Sequence, residues 1–366
     1  MIDSQEKDVL NVAVIGGGIS GLTAAWLLRG TCQVTLFEAE SRPGGHAHTV
    51  SCQTEGHELP IDMGFIVYND RTYPNFMRLL DHLGIRGTPT SMSFAVRCDR
   101  TGLEYCGSSL DGLFSQRRNL VRPSFLRMVR DILRFNREGT SDAATVSGEM
   151  TVSEYLTRRR YGEEFASHYL LPMGAAIWSC PMGRFGDFPI QFILQFFLNH
   201  GLLSLRNRPQ WYTIPGGSRR YLEKLIEALQ GHVRTNAAVR SVSRFSDHVV
   251  VSTDSGPQKF DEVIFACHSD QALSLLTDAG IAEREMLGEI RWQTDDVVLH
   301  TDVSVLPRRR KAWAAWNYRI PQEPQARPTI SCNMNLLQHL NSRRTFIVTL
   351  NDTDQIRPSE VISRRT

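Results

Sequence analysis

The residues with the clearest chemical capacity in this chain are glycines. Residues 16–21 read Gly-Gly-Gly-Ile-Ser-Gly, the G-x-G-x-x-G spacing, directly after the apolar run Val12–Ile15. Gly16 permits a tight turn, Gly18 lets a pyrophosphate approach the backbone, and Gly21 lets a helix pack closely on a strand. Ile19 and Ser20 open that helix, whose free N–H groups and positive dipole end suit phosphate. Glu38 falls 20 residues after Gly18. A carboxylate there accepts hydrogen bonds from ribose hydroxyls and repels a 2′-phosphate, which argues against NADP. Arg42-Pro43-Gly44-Gly45 follows at once. An arginine and two further glycines beside the pyrophosphate suit an extended cofactor, FAD in preference to NAD.

The elements that position these residues are legible from pattern. Asn11–Ile15 reads as a buried strand, Ser20–Arg29 as a helix and Gln33–Glu38 as the next strand, a β-α-β unit that favours a parallel sheet. Thr72–Leu83, Pro123–Arg137, Val152–Arg160 and Tyr221–Leu229 have helical periodicity. Val233–Arg244, His248–Thr253, Glu262–Ala266, Val297–Thr301 and Phe346–Leu350 read as strands. Residues 1–9 are polar and expected to fray, and Pro321–Pro328 reads as a surface loop.

Composition narrows the class. The chain has 366 residues, 41% hydrophobic and 22% charged, with a formal net charge of +2. That is ordinary for a soluble enzyme of two packed domains and does not favour a nucleic-acid partner. The seven cysteines include no C-x-x-C pair, so neither a disulfide framework nor a metal site is expected, and a reducing compartment fits. No apolar stretch is long enough for a transmembrane helix, and Val12–Ile15 is too short for a signal peptide. A cytoplasmic location is expected.

The run Val12–His46 resembles the N-terminal signature of the flavin-containing amine oxidase and phytoene desaturase superfamily. The resemblance implies an α/β fold: a Rossmann-like FAD-binding domain of amine-oxidase type with an interleaved α+β substrate domain. It places His46 in the signature, Asp62-Met63-Gly64-Phe65 near the flavin ring, and Pro215-Gly216-Gly217-Ser218 at the return from substrate domain to FAD domain. It gives the backbone of Val239 to adenine. The implied boundaries are 9–85 and 208–285 for the FAD domain, and 86–207 and 286–366 for the substrate domain. Residues 62–76, 172–181 and 208–218 are similar to a bacterial and plant branch of FAD-dependent oxidoreductases. In plants that module is fused in front of a cyclopropane-fatty-acid-synthase-like methyltransferase. The resemblance therefore implies oxidation or desaturation of a hydrophobic substrate, such as a fatty acyl chain, and a fatty-acid methyltransferase as partner.

The sequence departs from that family in ways that bear on substrate. Many amine oxidases place a lysine near flavin N5, but the only lysines here are Lys7, Lys224, Lys259 and Lys311, and Trp292–His300 has none. Where many of them have arginine after the Gly-Gly pair, this chain has His46. Both departures weaken an amine substrate and leave amine oxidase as the alternative. The family's third flavin-contacting segment, a glycine-rich turn leading into a helix, is not expected after Phe346–Leu350. A non-catalytic FAD-binding module serving a methyltransferase is therefore a second alternative. Phe188–Leu205, flanked by Trp178 and Trp211, reads first as a core helix and second as the wall of an apolar channel. Arg127, Arg130, Arg134 and Arg137 read first as a solvated basic face and second as a contact with an anionic membrane surface. His200 and His268 receive no catalytic role.

Overall fold

A computed structural model describes residues 9–323 and 327–365. The polar start lies outside the described residues except for Val9, and the Pro321–Pro328 loop is described only at its two ends. Strand β1 (Asn11–Ile15), helix α1 (Ile19–Leu28) and strand β2 (Gln33–Phe37) form a β-α-β unit. The chain continues through a hairpin of β3 (Thr49–Thr54) and β4 (His57–Asp62), then β5 (Val67–Asn69), α2 (Pro74–His82) and β6 (Thr88–Thr90). A second hairpin of β7 (Phe94–Cys98) and β8 (Leu103–Cys106) leads into a helical stretch. Its longer helices are α3 (Pro123–Asp142), α4 (Val152–Arg158), α5 (Leu171–Trp178) and α6 (Ile190–Asn199). After β9 (Trp211–Thr213) and α7 (Arg219–Ala228), the remainder is mostly strand: β10 (Val233–Arg234), β11 (Val239–Arg244), β12 (Val249–Thr253), β13 (Gly256–Phe260) and β14 (Glu262–Phe265). Finally come β15 (Val297–His300), β16 (Trp316–Ile320), β17 (Thr329–Asn333), β18 (Ile347–Leu350) and β19 (Val361–Arg365).

Two sheets organise these strands. A parallel sheet runs in the order β10-β2-β1-β14, with β1 registered on β2 from Asn11↔Gln33 to Ile15↔Phe37 and on β14 from Val12↔Glu262 to Ile15↔Phe265. β1 is buried along Val12–Ile15. That is the continuous apolar pattern of a central parallel strand covered on both faces. The larger sheet runs β19-β15-β18-β17-β16-β7-β8 and is antiparallel except where β7 meets β16.

One expectation is corrected. Val233–Arg244 is not a single strand. Val233 and Arg234 join the parallel sheet beside β2, whereas Val239–Arg244 opens a separate antiparallel sheet with β12 and β13. Asn236 between them takes the left-handed region at φ 51°, a conformation asparagine tolerates and one that ends a strand. The helix expected over Pro123–Arg137 runs on to Asp142.

The packing answers the question left open for Phe188–Leu205. Ile190, Ile193, Leu194 and Phe197 of α6 are buried in the largest hydrophobic cluster of the molecule. Trp178 contacts Phe185, Phe188, Phe192, Phe196 and Phe197 around them. α6 is a core helix, with Phe192 at 52% exposure on its outer side. Among the described residues, no helix is long and apolar enough to cross a membrane.

The large sheet carries a buried histidine, His300, at the end of β15, one strand in from the β19 edge. The His300 Nδ1 accepts from the backbone N–H of Asp302 (3.1 Å), so its Nε2–H donates to Thr349 Oγ1 (2.8 Å). Burial lowers its pKa to about 4, below the ~6.5 of the unfolded chain. The unfolded state therefore binds a proton that the folded state does not, and stability falls as pH drops from the unfolded value towards the folded one. Between pH ~6.5 and ~4 this histidine should cost the parent about 3 kcal/mol of unfolding free energy. His300→Gln keeps a donor for Thr349 and should flatten that part of the urea-unfolding profile. An equal slope in parent and variant would remove His300 from the pH response.

Candidate nucleotide and cofactor site

The glycine loop has the geometry its spacing requires. Gly16 has φ 108°, and a Cβ there would lie 2.7 Å from the Ala266 carbonyl oxygen, so the turn between β1 and α1 needs glycine. A Cβ on Gly21 would lie 1.9 Å from the Gly16 oxygen. Gly18 differs: a Cβ there would meet nothing within 4 Å. Its missing side chain is not demanded by the protein, which leaves the space above it for a ligand. Gly18 is also the N-cap of α1 and supplies no side-chain hydrogen bond. Ile19 and Ser20 stand in the first turn, so their N–H groups and the dipole end face outward, as an anion site needs.

A second glycine loop lies against the first. The Gly44 N–H donates to the Gly17 carbonyl (2.7 Å), and Gly18 and Gly44 form an isolated parallel bridge. Gly44 and Gly45 have φ 134° and 55°, and a Cβ on Gly45 would sit 3.4 Å from Gly18 Cα. Gly64 is pressed onto His46, where a Cβ would lie 2.0 Å from the His46 carbonyl oxygen that accepts the Phe65 N–H. The two glycine segments and the 62–65 segment are thus stacked backbone on backbone.

Glu38 follows β2 and is partly exposed. Its Oε2 accepts from the Gly17 N–H (2.8 Å) and its Oε1 from the Glu40 N–H (2.8 Å). Each oxygen keeps a further lone pair for a ribose hydroxyl. The backbone N–H groups of Asn236 and Ala237 donate to the carbonyls of Glu40 and Glu38. This brings Val239, at the start of β11, to the same end of the sheet.

Cations gather on the other side of the second loop. Arg42 reaches the carbonyls of Pro43 and Ala47, and its Nη2 lies 2.5 Å from His48 Nδ1. Arg365, from β19, places Nη1 3.2 Å from the same nitrogen while pairing with Glu40 at 2.9 Å. One Nδ1 lone pair cannot satisfy two guanidinium groups, and Arg365 is already paired with Glu40, so the unpaired positive charge beside the glycine loops is that of Arg42. Burial, with the Arg365 charge second, lowers the Arg42 pKa. Burial, with Arg42 second, lowers that of His48. Burial and the neighbouring His268 likewise lower His46. His46 lies parallel to His268 at 5.8 Å, and His268 stacks on Trp292 at 3.7 Å. His200 is held by Phe196 and Thr72.

Behind this cradle sits Asp62, quoted above only as part of the 62–65 segment. It is 1% exposed. Its Oδ1 accepts from Thr49 Oγ1 (2.6 Å), the Ser218 N–H (2.9 Å) and Ser218 Oγ (2.8 Å), and its Oδ2 from Gln338 Nε2 (3.2 Å). Burial pushes the carboxyl pKa up, and the Thr49 and Ser218 donors oppose it. Gly216 and Gly217, at φ 85° and 82°, turn the chain into α7 beside this network. Sequence reasoning did not single out Thr49, His48, Gln338 or Arg365, because each meets its partner only through long-range folding. These residues fit the adenosine diphosphate half of FAD. Open space stands over Gly18, an uncapped helix start faces it, acceptors are free at Glu38, and Arg42 carries a positive charge with no ion-pair partner among the described residues.

The chain is similar to known proteins. The family model described as flavin containing amine oxidoreductase matches residues 19–302. The AofH protein of Mycobacterium tuberculosis (strain CDC 1551 / Oshkosh), named as a flavin-containing monoamine oxidase, is 27% identical over 273 residues, 70% of this chain and 56% of its own. The chain thus spans little more than half the length of that relative. Cyclohexylamine oxidase from Brevibacterium oxydans IH-35A has TM-score 0.66 at 14% identity, covering 96% of this chain and 78% of its own. The CLA-producing fatty acid isomerase from P. acnes has TM-score 0.63 at 18% identity, covering 95% and 78%. At these identities the likeness to both solved structures is one of fold.

Two substitutions separate cradle from fold. Gly18→Ala should leave the melting temperature of the apo-protein unchanged and weaken FAD by about 1–3 kcal/mol, the cost of forcing a methyl group into filled space. Gly21→Ala should lower the melting temperature as well. Flavin-to-protein ratio and thermal melts read both, and full flavin retention by Gly18→Ala would remove that glycine from the contact. Glu38→Ala should weaken FAD by about 1.5–3 kcal/mol, the range for hydrogen bonds to a charged group. Glu38→Gln, which keeps an acceptor for Gly17, should fall between it and the parent in a titration of apo-protein. Three equal dissociation constants would place the ribose elsewhere.

Proposed function

Because the chain belongs to the family of flavin-containing amine oxidoreductases, we propose that it is an FAD-dependent oxidoreductase that removes two electrons from a hydrophobic substrate, an acyl chain in the first instance. FAD supplies the two-electron acceptor. The chain's own part is to hold the diphosphate over Gly18, take the ribose on Glu38 and exclude water from the reacting bond.

The observation that carries the choice of substrate is the character of the wall beyond Gly64 and Phe65. Ile66 and Val67, like Met92, Phe94, Trp178 and Trp316, pack against the largest hydrophobic cluster of the molecule. Among the described residues, no lysine stands there. Lys224 donates to the Leu83 carbonyl, Lys259 faces Asp247 and Lys311 faces Asp111. At the start of β15, Asp296 is held by Thr353 and Arg364, and Asp295 by Asn351. An apolar, aromatic wall lowers the free energy of a hydrocarbon chain and offers a protonated amine no compensation for lost hydration. A lipid methyltransferase acting on the same acyl chains is the partner this reading suggests.

Amine oxidation is the second reading, favoured by the 27% identity to a protein named as a monoamine oxidase. One experiment separates the two. Flavin-loaded protein is mixed without oxygen with fatty acyl substrates, saturated and unsaturated, and with primary amines and polyamines, and the visible flavin band is followed. Bleaching by acyl substrates alone is expected. Bleaching by an amine, with acyl substrates inert, would replace the first reading by the second.

A further inference from the structure

Away from the glycine loops, the β7–β8 turn and the end of β16 border a second concavity. It is a cavity of about 670 Å³ lined by five arginines, Arg97, Arg118, Arg308, Arg309 and Arg319. Two carboxylates share the lining, and both are already engaged. Asp99 lies between Arg97 (2.9 Å) and Arg319 (2.7 Å). Glu104 is 4% exposed and accepts the backbone N–H groups of Arg308 (3.0 Å) and Arg309 (3.2 Å). A buried acid thus fixes the backbone of the arginine loop and leaves its side chains unneutralised. Among the described residues, neither the Arg308 nor the Arg309 guanidinium has a hydrogen-bond or ion-pair partner. Arg118 makes one contact, to the Gly102 carbonyl (3.2 Å).

Like charges gathered on one concave surface repel one another and raise the local positive potential; Arg118, Arg308 and Arg309 all stand exposed to solvent there. Such an arrangement is stabilised by an anion, and the planar guanidinium fork matches phosphate oxygens in pairs. We propose that this cavity is a binding site for a phosphate-bearing group, separate from the cofactor cradle, with Arg118, Arg308 and Arg309 as its principal donors. Its volume lies within the range of small-molecule sites and exceeds that needed for a bare ion. The turn that carries Arg118 also carries Leu120, 50% exposed, and leads to Val121, 81% exposed. Apolar residues beside a phosphate site suit a phospholipid headgroup. A soluble phosphoester shares the same chemistry.

The test is calorimetric titration of the FAD-loaded protein with inorganic pyrophosphate. Saturable binding is expected, weakened roughly tenfold or more in an Arg118→Ala/Arg308→Ala/Arg309→Ala variant. Arg308→Gln/Arg309→Gln keeps much of the side-chain stem and repeats the measurement should the triple variant melt early. Arg130→Ala/Arg137→Ala/Arg158→Ala removes the same charge from α3 and α4. Equal weakening there would reduce the effect to diffuse charge and overturn the proposal. Binding lost in Gly18→Ala but kept in the triple variant would belong to the nucleotide cradle and overturn it too. Co-sedimentation with phosphatidylglycerol vesicles, but not phosphatidylcholine vesicles, lost in the triple variant, would assign a lipid headgroup. Pyrophosphate binding without vesicle binding would assign a soluble phosphoester. Neither form of binding would leave the proposal refuted.

Discussion

Asp62 takes four hydrogen bonds from three separate stretches of chain, the hairpin at Thr49, the turn into α7 at Ser218 and the segment around Gln338. A carboxylate as buried as this one costs several kcal/mol to desolvate, and only a full set of donors offsets that. The requirement works in both directions. The acid is tolerated because the three stretches converge, and the stretches are held in register because each must present its donor. The Gly64–His46 contact begins two residues further on, and through it the second glycine loop is laid against the first. The cradle therefore inherits its position from a polar interaction behind it.

Within the cradle, glycine serves two purposes that the sequence alone does not distinguish. At Gly16, Gly21, Gly44 and Gly64 the protein itself occupies the space a side chain would need. At Gly18 it does not. The first group is demanded by the fold, and the last stands beside open space, where the proposed cofactor would lie. Cationic residues divide in the same way. Arg319 and Arg97 are spent on Asp99 and Arg365 on Glu40, whereas Arg42 meets only carbonyls and one imidazole nitrogen and keeps its charge unassigned.

What could be read from the sequence was local. The strand, turn, helix and acid of residues 11–38 follow from periodicity and glycine placement, which act within a few residues. The core role of α6 was readable from its apolar stripe. The break at Asn236 was not, because alternating apolar residues on both sides of it fit one strand as well as two. Arg365 beside His48, Gln338 on Asp62 and the parallel pairing of β7 with β16 join residues far apart in the chain, and no local pattern encodes them. The arginine cavity was invisible for the same reason. Its lining comes from β7 and β8, a short turn near residue 118, the loop before β16 and the end of β16 itself.

The position of β1 bears on how the molecule comes into being. That strand is central in the parallel sheet, yet its neighbour β14 arrives about 250 residues later, as the bond from the Asn11 N–H to Asp261 makes plain. A nascent chain carrying residues 11–37 can pair β1 with β2 but leaves the other side of β1, an apolar strand, as an open edge. Such edges recruit foreign strands, and closing them across so long a loop is slow. β1 is therefore made about 250 residues ahead of the strand that completes its sheet, and an unpaired apolar edge held open for that interval is exposed to misassociation until β14 emerges.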